Sequence, residues 1–353
     1  MKNRWFSGLV LLLSVYLAQA QTDTNSRKIK IFPVPAIGHS PETSTYFGAV
    51  ALASFRSAAD TNTRESNTKV EFNYSLRNQL ILECGWNYFS PGEKWFSEAI
   101  FRFSQFPDYY YGLGRNSDAR DEVQYNSNRF RTSVNALYQL RSNFFAGPLF
   151  RYTSYSRVQY LGGDSITYLE LSPSQVWGLG LEARKDLRNS LLGPTEGYLA
   201  GLAVSYNQGA GAGYLKIEPD FRYYLPLGEV TWASRFYAEW NWGDTPPFYD
   251  IGLLGGDRTA RGIYLGRFRD VNLSTLQTEF RIPLFWRLGV SFFGGLSDVY
   301  ASGLEVKLSP LIYNAGGGIR FLIDRESNVN LRFDYGVASG GQSGFYVAFG
   351  ESF

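Results

Sequence analysis

Residues 329–337 constrain this chain more than any other feature of the sequence. Every second residue is apolar (Val329, Leu331, Phe333, Tyr335, Val337), and between them stand Asn330, Arg332, Asp334 and Gly336. A period of two with one oily and one wet face describes a strand lying between two unlike environments. The pattern recurs along almost the whole chain, which ends on a strand reaching Phe353. Two folds accept such ribbons. In a soluble sandwich the oily face looks inward; in a transmembrane barrel it looks at lipid and the polar face lines a lumen.

The N-terminus bears on that choice. Lys2 and Arg4 precede an apolar stretch from Trp5 to Leu17 broken only by Ser7 and Ser14, and Ala18-Gln19-Ala20 has the small-x-small form of a cleavage site. This is the layout of a secretory signal peptide, with an apolar core too short to span a bilayer as a helix. Residues 1–20 are read as that signal, so the mature chain begins near Gln21. Downstream, no run approaches the ~18 apolar residues of a spanning helix. Aromatic residues nevertheless make up 17% of the chain, while mean hydropathy is slightly negative. Barrel walls produce this mixture, because lipid-facing aromatic girdles alternate with small and polar lumen residues.

Composition also prunes the chemistry. Cys84 is the only cysteine and His39 the only histidine, which excludes an intrachain disulfide, a multi-histidine metal site and a cysteine-rich zinc site. A Ser-His-Asp hydrolase would have to recruit His39 from a Pro-flanked segment ahead of the first convincing strand. Gly341-Gln342-Ser343-Gly344 lacks the spacing of a nucleophile elbow. A net charge of +2 gives no argument for nucleic acid. The chain is therefore expected to be no enzyme and to need no cofactor.

Alternation places strands near 44–55, 66–76, 78–88, 95–105, 122–138, 143–157, 174–186, 196–207, 213–225, 229–242, 272–284, 287–299, 313–323, 327–338 and 343–353. Fifteen is odd, and single-chain bacterial barrels have even strand numbers. Residues 28–35 offer a sixteenth, of edge type because of Pro33 and Pro35. Sixteen strands are expected. The segments 106–121, 158–173, 243–271 and 300–312 are long connections. With a periplasmic C-terminus, the five strands after 243–271 put that loop on the outer side or folded into the lumen.

This longest loop reads Gly255-Gly256-Asp257-Arg258-Thr259-Ala260-Arg261-Gly262-Ile263-Tyr264-Leu265-Gly266. It resembles the sixth extracellular loop of the bacterial surface antigen superfamily, the BamA/TamA-type outer-membrane barrels that assemble membrane proteins or translocate polypeptides. Residues 276–284 and 289–300 resemble the family's next two strands. Arg184–Asn189 with Pro194–Gly197 is similar to a family turn, and Pro41-Glu42-Thr43 to the barrel entrance. The resemblance implies that the loop enters the lumen and that Arg261, followed by Gly262, pairs with Glu279 beside Phe293. Gly255, Gly256 and Gly266 shape the loop, and Phe353 is the C-terminal assembly signal. Gly295 stands where many members have Asp, so Arg261 is expected to lose its second carboxylate. Asp298 is a candidate to replace it, but its opposite parity points it outward unless the strand has ended there. Ala260 and Ile263 replace larger residues of the family pattern.

The expected organisation is a signal peptide (1–20), a short periplasmic lead-in (21–43) and a barrel (44–353) without POTRA domains. Its expected role is membrane assembly or polypeptide or lipid handling, with outer-membrane lipid as surroundings and a separate periplasmic protein or an unfolded client as partner. Self-association stays open. The alternative is a passive or gated channel whose selectivity is tuned by Arg102, Arg235, Arg332, Glu218 and Asp220.

Overall fold

A computed structural model of the 353-residue chain describes residues 29–40, 44–57, 63–160, 173–302, 311–325 and 328–353. The signal-peptide reading and Pro41-Glu42-Thr43 lie outside these residues. The barrel strands are β1 (Lys30–Ser40), β2 (Ser44–Phe55), β3 (Ser66–Ser75), β4 (Leu80–Phe89), β5 (Trp95–Tyr110), β6 (Val123–Asn135 continued by Leu137–Arg141), β7 (Phe144–Tyr160) and β8 (Ser174–Asp186). They continue as β9 (Gly197–Gly209), β10 (Ala212–Leu227), β11 (Val230–Gly243), β12 (Asn272–Phe285), β13 (Leu288–Tyr300), β14 (Ile312–Asp324), β15 (Val329–Ala338) and β16 (Gln342–Phe349). Each pairs antiparallel with the next in sequence. The two pieces of β6 lie between the same neighbours, so they fill one position of the sheet. Opposite that break stands Gly147, where a Cβ would come within 2.1 Å of the Ala136 carbonyl oxygen.

Among the described residues the sheet thus has sixteen positions, and the strand expected over 28–35 is present from Lys30 and runs on to Ser40. Two further boundaries differ from the alternation reading by more than three residues. Strand β5 continues through Pro107 to Tyr110, because its upper half pairs with β6 instead of opening into a loop. Strand β16 stops at Phe349, because Gly350 adopts a φ of +71° and turns the last residues off the sheet. Phe353 is therefore not a strand residue; its ring packs with Tyr224 and Ala233.

Which face is dry separates the two candidate folds. On β15 the charged pair Arg332 and Asp334 is buried, whereas Tyr335 is 54% and Val337 48% exposed. On β12 Glu279 is buried while Leu276 and Phe280 are open. A soluble sandwich would reverse this. An outward apolar face over most of the wall is the arrangement of a transmembrane barrel, whose solvent on that side is hydrocarbon.

Residues 244–271 fold inward and fill one end of the interior. Two short strands, Gly252–Leu254 and Phe268–Asp270, pair with each other, and one helical turn covers Gly256–Thr259. Phe248 and Tyr249 enter a cluster with Tyr110, Tyr125, Tyr155 and Tyr214 of the wall. Leu254, Ala260, Ile263 and Phe268 pack on Leu273, Val299 and Ile312. At the other end Phe89, Phe96, Leu137 and Phe145 form a cluster against Leu191 of the β8–β9 connection.

The inverted wall makes a measurable prediction. Leu276→Arg, near the middle of β12, is expected to cost about 2–4 kcal/mol of stability in phospholipid vesicles, whereas Leu284→Arg near the rim costs about 0–1 kcal/mol. Equal small costs, measured by denaturant titration, would mean that this face touches water.

Candidate functional site: the lumenal anchor of the long loop

The loop meets the wall where two glycines face one another. Gly262 has a φ of +100°, and a Cβ there would lie 2.8 Å from the Gly336 carbonyl carbon of β15. A Cβ on Gly336 would in turn lie 2.7 Å from the Arg261 carbonyl oxygen. Only a side-chain-free pair allows this approach, and the left-handed backbone of Gly262 favours glycine again. Gly255, Gly256 and Gly266 also have positive φ values. At Gly255 a Cβ would run into the Tyr264 carbonyl oxygen at 2.3 Å, which closes the loop on itself.

This approach delivers Arg261 to the lumenal side of β12–β15. Its Nη1 donates to Asp334 at 2.6 Å, its Nη2 donates to Glu279, and its guanidinium carbon sits 3.5 Å from the ring centroid of Phe293. Arg261 is 1% exposed and Glu279 0%. The structure therefore brings Arg261, Glu279 and Phe293 together. It corrects the expectation of a single carboxylate: Asp334 of β15 supplies the second. The space before Gly295 is taken by Asn314, whose Oδ1 would lie 2.6 Å from a Cβ there and whose amide donates to the Arg261 carbonyl at 3.0 Å. Asp298 is corrected as well. It does not face outward; it is buried and pairs with Arg115 at 2.9 Å, from the β5–β6 connection.

Around this pair stands a larger charge cluster. Arg320 donates to Glu279 at 3.0 Å and to Asp334, and Arg281 donates to Glu279 at 3.1 Å. Arg332 donates to Asp334 at 2.8 Å and to Asp257 of the loop. Glu351 accepts from Arg320 at 3.0 Å. Four guanidiniums (Arg261, Arg281, Arg320, Arg332) face four carboxylates (Asp257, Glu279, Asp334, Glu351), so the cluster is neutral. Neutrality matters because burial of an uncompensated ion costs several kcal/mol. In the loop itself, burial pushes the Asp257 carboxyl up, but Arg332 outweighs it and holds Asp257 below the usual carboxylate range.

The chain's end joins the same cluster. Arg281 donates to the Phe353 carbonyl at 2.9 Å, and the Ser352 hydroxyl donates to the Asp257 carbonyl at 2.7 Å. On β16 the Tyr346 hydroxyl accepts from Gly262 N at 3.1 Å, and Gln342 accepts from Tyr264 N at 3.1 Å. Tyr264 donates to Asp108 of β5 at 2.6 Å. The loop is thus fastened to the last strand as well as to β12. The proposed selectivity residues are mostly paired: Arg235 with Asp220, Glu218 with Arg151, and Arg332 as above. Arg102 lies beside Glu83 and is 40% exposed at its side chain.

Arg261→Ala leaves the buried cluster one positive charge short and is expected to cost about 3–5 kcal/mol of barrel stability. Glu279→Gln alone should also destabilise, and the double variant should cost clearly less than the sum. Full additivity in the double-mutant cycle, read by heat-modifiable gel mobility and surface protease resistance, would argue against a lumenal pair.

The family profile described as Omp85 superfamily domain matches residues 53–353. No curated protein matches the sequence. Among solved structures, BamA from Haemophilus ducreyi lacking POTRA domains 1–3 is similar, with a TM-score of 0.56 and 13% identity over 93% of this chain and 71% of that one. CdiB from Acinetobacter baumannii has a TM-score of 0.54 and 12% identity over 92% of this chain and 65% of that one. CdiB from Escherichia coli gives 0.55 and 11% over 94% and 68%. At these identities the likeness is one of fold, and the chain spans between 65% and 71% of those structures. The resemblance read from the Arg261-Gly262 loop is borne out, and the chain belongs to the Omp85 superfamily.

Proposed function

We propose that this chain is an outer-membrane barrel that inserts or translocates polypeptides, with the 244–271 loop as its lumenal plug and a separate periplasmic protein or an unfolded client as partner. The observation that carries this reading is the attachment of the loop to β12, β15 and β16 at once. A lumen closed by such an anchor is a poor free pore. Passage then requires the loop to move or the wall to part.

The wall has a place to part. The described ladders give β1 one partner, β2, and give β16 one partner, β15, although the two end strands are neighbours. Family membership supports the same role. A gated channel is the second reading, favoured by Lys69, Glu83 and Arg102 on β3–β5, where Lys69 and Arg102 keep 33% and 40% of their side-chain surface open.

The test is insertion. Vesicles holding the purified barrel should fold a urea-unfolded small barrel protein about ten-fold faster than empty vesicles, a gain of about 1.4 kcal/mol at the transition state. Equal rates, together with a steady large conductance in planar bilayers, would favour the channel. Small flickering currents that grow when residues 255–269 are deleted would favour the plug.

A further inference from the structure

Antiparallel order fixes which connections share an end of the barrel. Strand β11 runs into the plug, so odd-numbered strands run toward that end and even-numbered strands run away from it. The β8–β9 connection (187–196) and the residues that follow β16 therefore lie at the opposite end. Strands β8 and β9 are the middle positions of the sheet, and its two end strands are neighbours. The connection thus starts across the barrel from β16.

It is built to reach over the lumen. Leu187 N donates to the Tyr198 carbonyl at 2.8 Å, and Asn189 closes a neck with Thr195, donating to its hydroxyl at 2.7 Å and accepting from its N–H at 3.0 Å. At the foot, Asp186 accepts from Arg188 at 2.9 Å and pairs with Arg64 at 3.4 Å. What projects is the tip, residues 190–194. Leu191 packs on Phe89, Phe96, Leu137 and Phe145, on the connection's own side of the barrel. The next three residues touch the far side. The Leu192 carbonyl accepts from Glu351 N at 2.8 Å, the Gly193 carbonyl from the Asn328 side chain, and the Pro194 carbonyl from Arg281 at 2.9 Å. Only glycine permits this approach at 193, because a Cβ there would lie 1.9 Å from the Asn328 carbonyl oxygen.

Two of these partners belong to the charge cluster that seats the plug. Arg281 donates to Glu279, the carboxylate that also receives Arg261. Glu351 accepts from Arg320, which reaches both Glu279 and Asp334. A cleft of about 190 Å³ lies beside the tip, lined in part by Pro194, Arg281, Arg320, Asn328 and Glu351. With the tip lifted away, Arg281 loses an acceptor and the cleft admits water to the cluster. Ion pairs weaken as the local dielectric rises. We propose that residues 190–194 are a latch, whose seating at one end of the lumen holds the plug shut at the other through Arg281 and Glu351. This rests on the plug reading above and says from which end the plug is released.

The test reads the plug while changing the latch. Ala260→Cys is the reporter, since Ala260 is buried in the plug against Leu273, Val299 and Ile312. The background is Cys84→Ser, because Cys84 is the only native cysteine. The probe is a maleimide–polyethylene glycol too bulky to pass the barrel, added outside intact cells that carry the full chain. Gly193→Ala should speed labelling about ten-fold, the effect of one lost hydrogen bond to a charged group. Asn328→Gly removes the side-chain donor, suits the φ of +52° at that position, and should act in the same direction. In an Arg261→Ala background the anchor is already gone, so Gly193→Ala should add at most about two-fold. Gly48→Ala crowds the wall elsewhere, with a Cβ 2.0 Å from the Phe72 carbonyl oxygen, and should leave the rate unchanged. Heat-modifiable mobility checks that each variant is folded, and Asn328→Gly decides if Gly193→Ala is not.

Unchanged labelling in the folded latch variants would overturn the proposal. So would an equal rise in Gly48→Ala, or full additivity with Arg261→Ala, which would make the two closures independent. The insertion assay separates this failure from failure of the broader reading. Client insertion with a plug indifferent to Gly193 sinks only the latch, whereas latch-controlled labelling without insertion sinks only the translocation role.

Discussion

A guanidinium held away from water must be answered by negative charge and by acceptors, and the placement of Arg261 is where this molecule meets that demand. Arg261 sits between Glu279 and Asp334 and over the Phe293 ring. Arg281, Arg320 and Arg332 share those carboxylates with Asp257 and Glu351. Buried ion pairs are weak evidence for stability, because desolvation offsets much of the attraction. Their contribution here is positional. Each guanidinium has a fixed fork of donors, so the loop has one seat in which every charge is matched, and small displacements leave ions unpaired.

That seat exists because the wall is built with its polar face inward. Hydrocarbon outside rewards Leu276, Phe280, Tyr335 and Val337 for pointing out, and the same alternation turns Glu279, Arg332 and Asp334 toward the lumen. The loop then replaces lumenal water with protein, through Phe248 and Tyr249 at one level and Ala260 and Ile263 at another. Ala260 and Ile263 fit this packing. Both are fully buried against Leu273, Val299 and Ile312, and the neighbouring Tyr264 hydroxyl reaches Asp108.

Much of this was legible in the sequence, and the reasons are specific. The period of two exposed the strands and the lumenal side of Glu279, because parity is a local property of the chain. The Arg261-Gly262 resemblance located the anchor. Asp334 was already assigned to the polar face, but nothing in the sequence says that β15 lies within reach of a loop entering over β12. That depends on barrel curvature and on how deep the loop descends. Asp298 shows the limit of parity: near the end of β13 both faces are covered, so alternation no longer separates inside from outside. The turn at Gly350 had no signal beyond one glycine, since Phe345, Val347 and Phe349 continue the strand pattern to its edge.

The stacking of Tyr249 on Tyr155 carries a consequence of its own. The two rings lie 4.1 Å apart at 15°, with Phe248 set edge-on to both. One ring belongs to the plug and the other to the wall, while Trp232 and Trp242 stand on the lipid face, away from this contact. Coupled chromophores in a fixed chiral arrangement give near-ultraviolet circular dichroism. Withdrawal of the plug would therefore announce itself optically, in the tyrosine band and without any label, while the tryptophan emission of the outer wall stayed as it was.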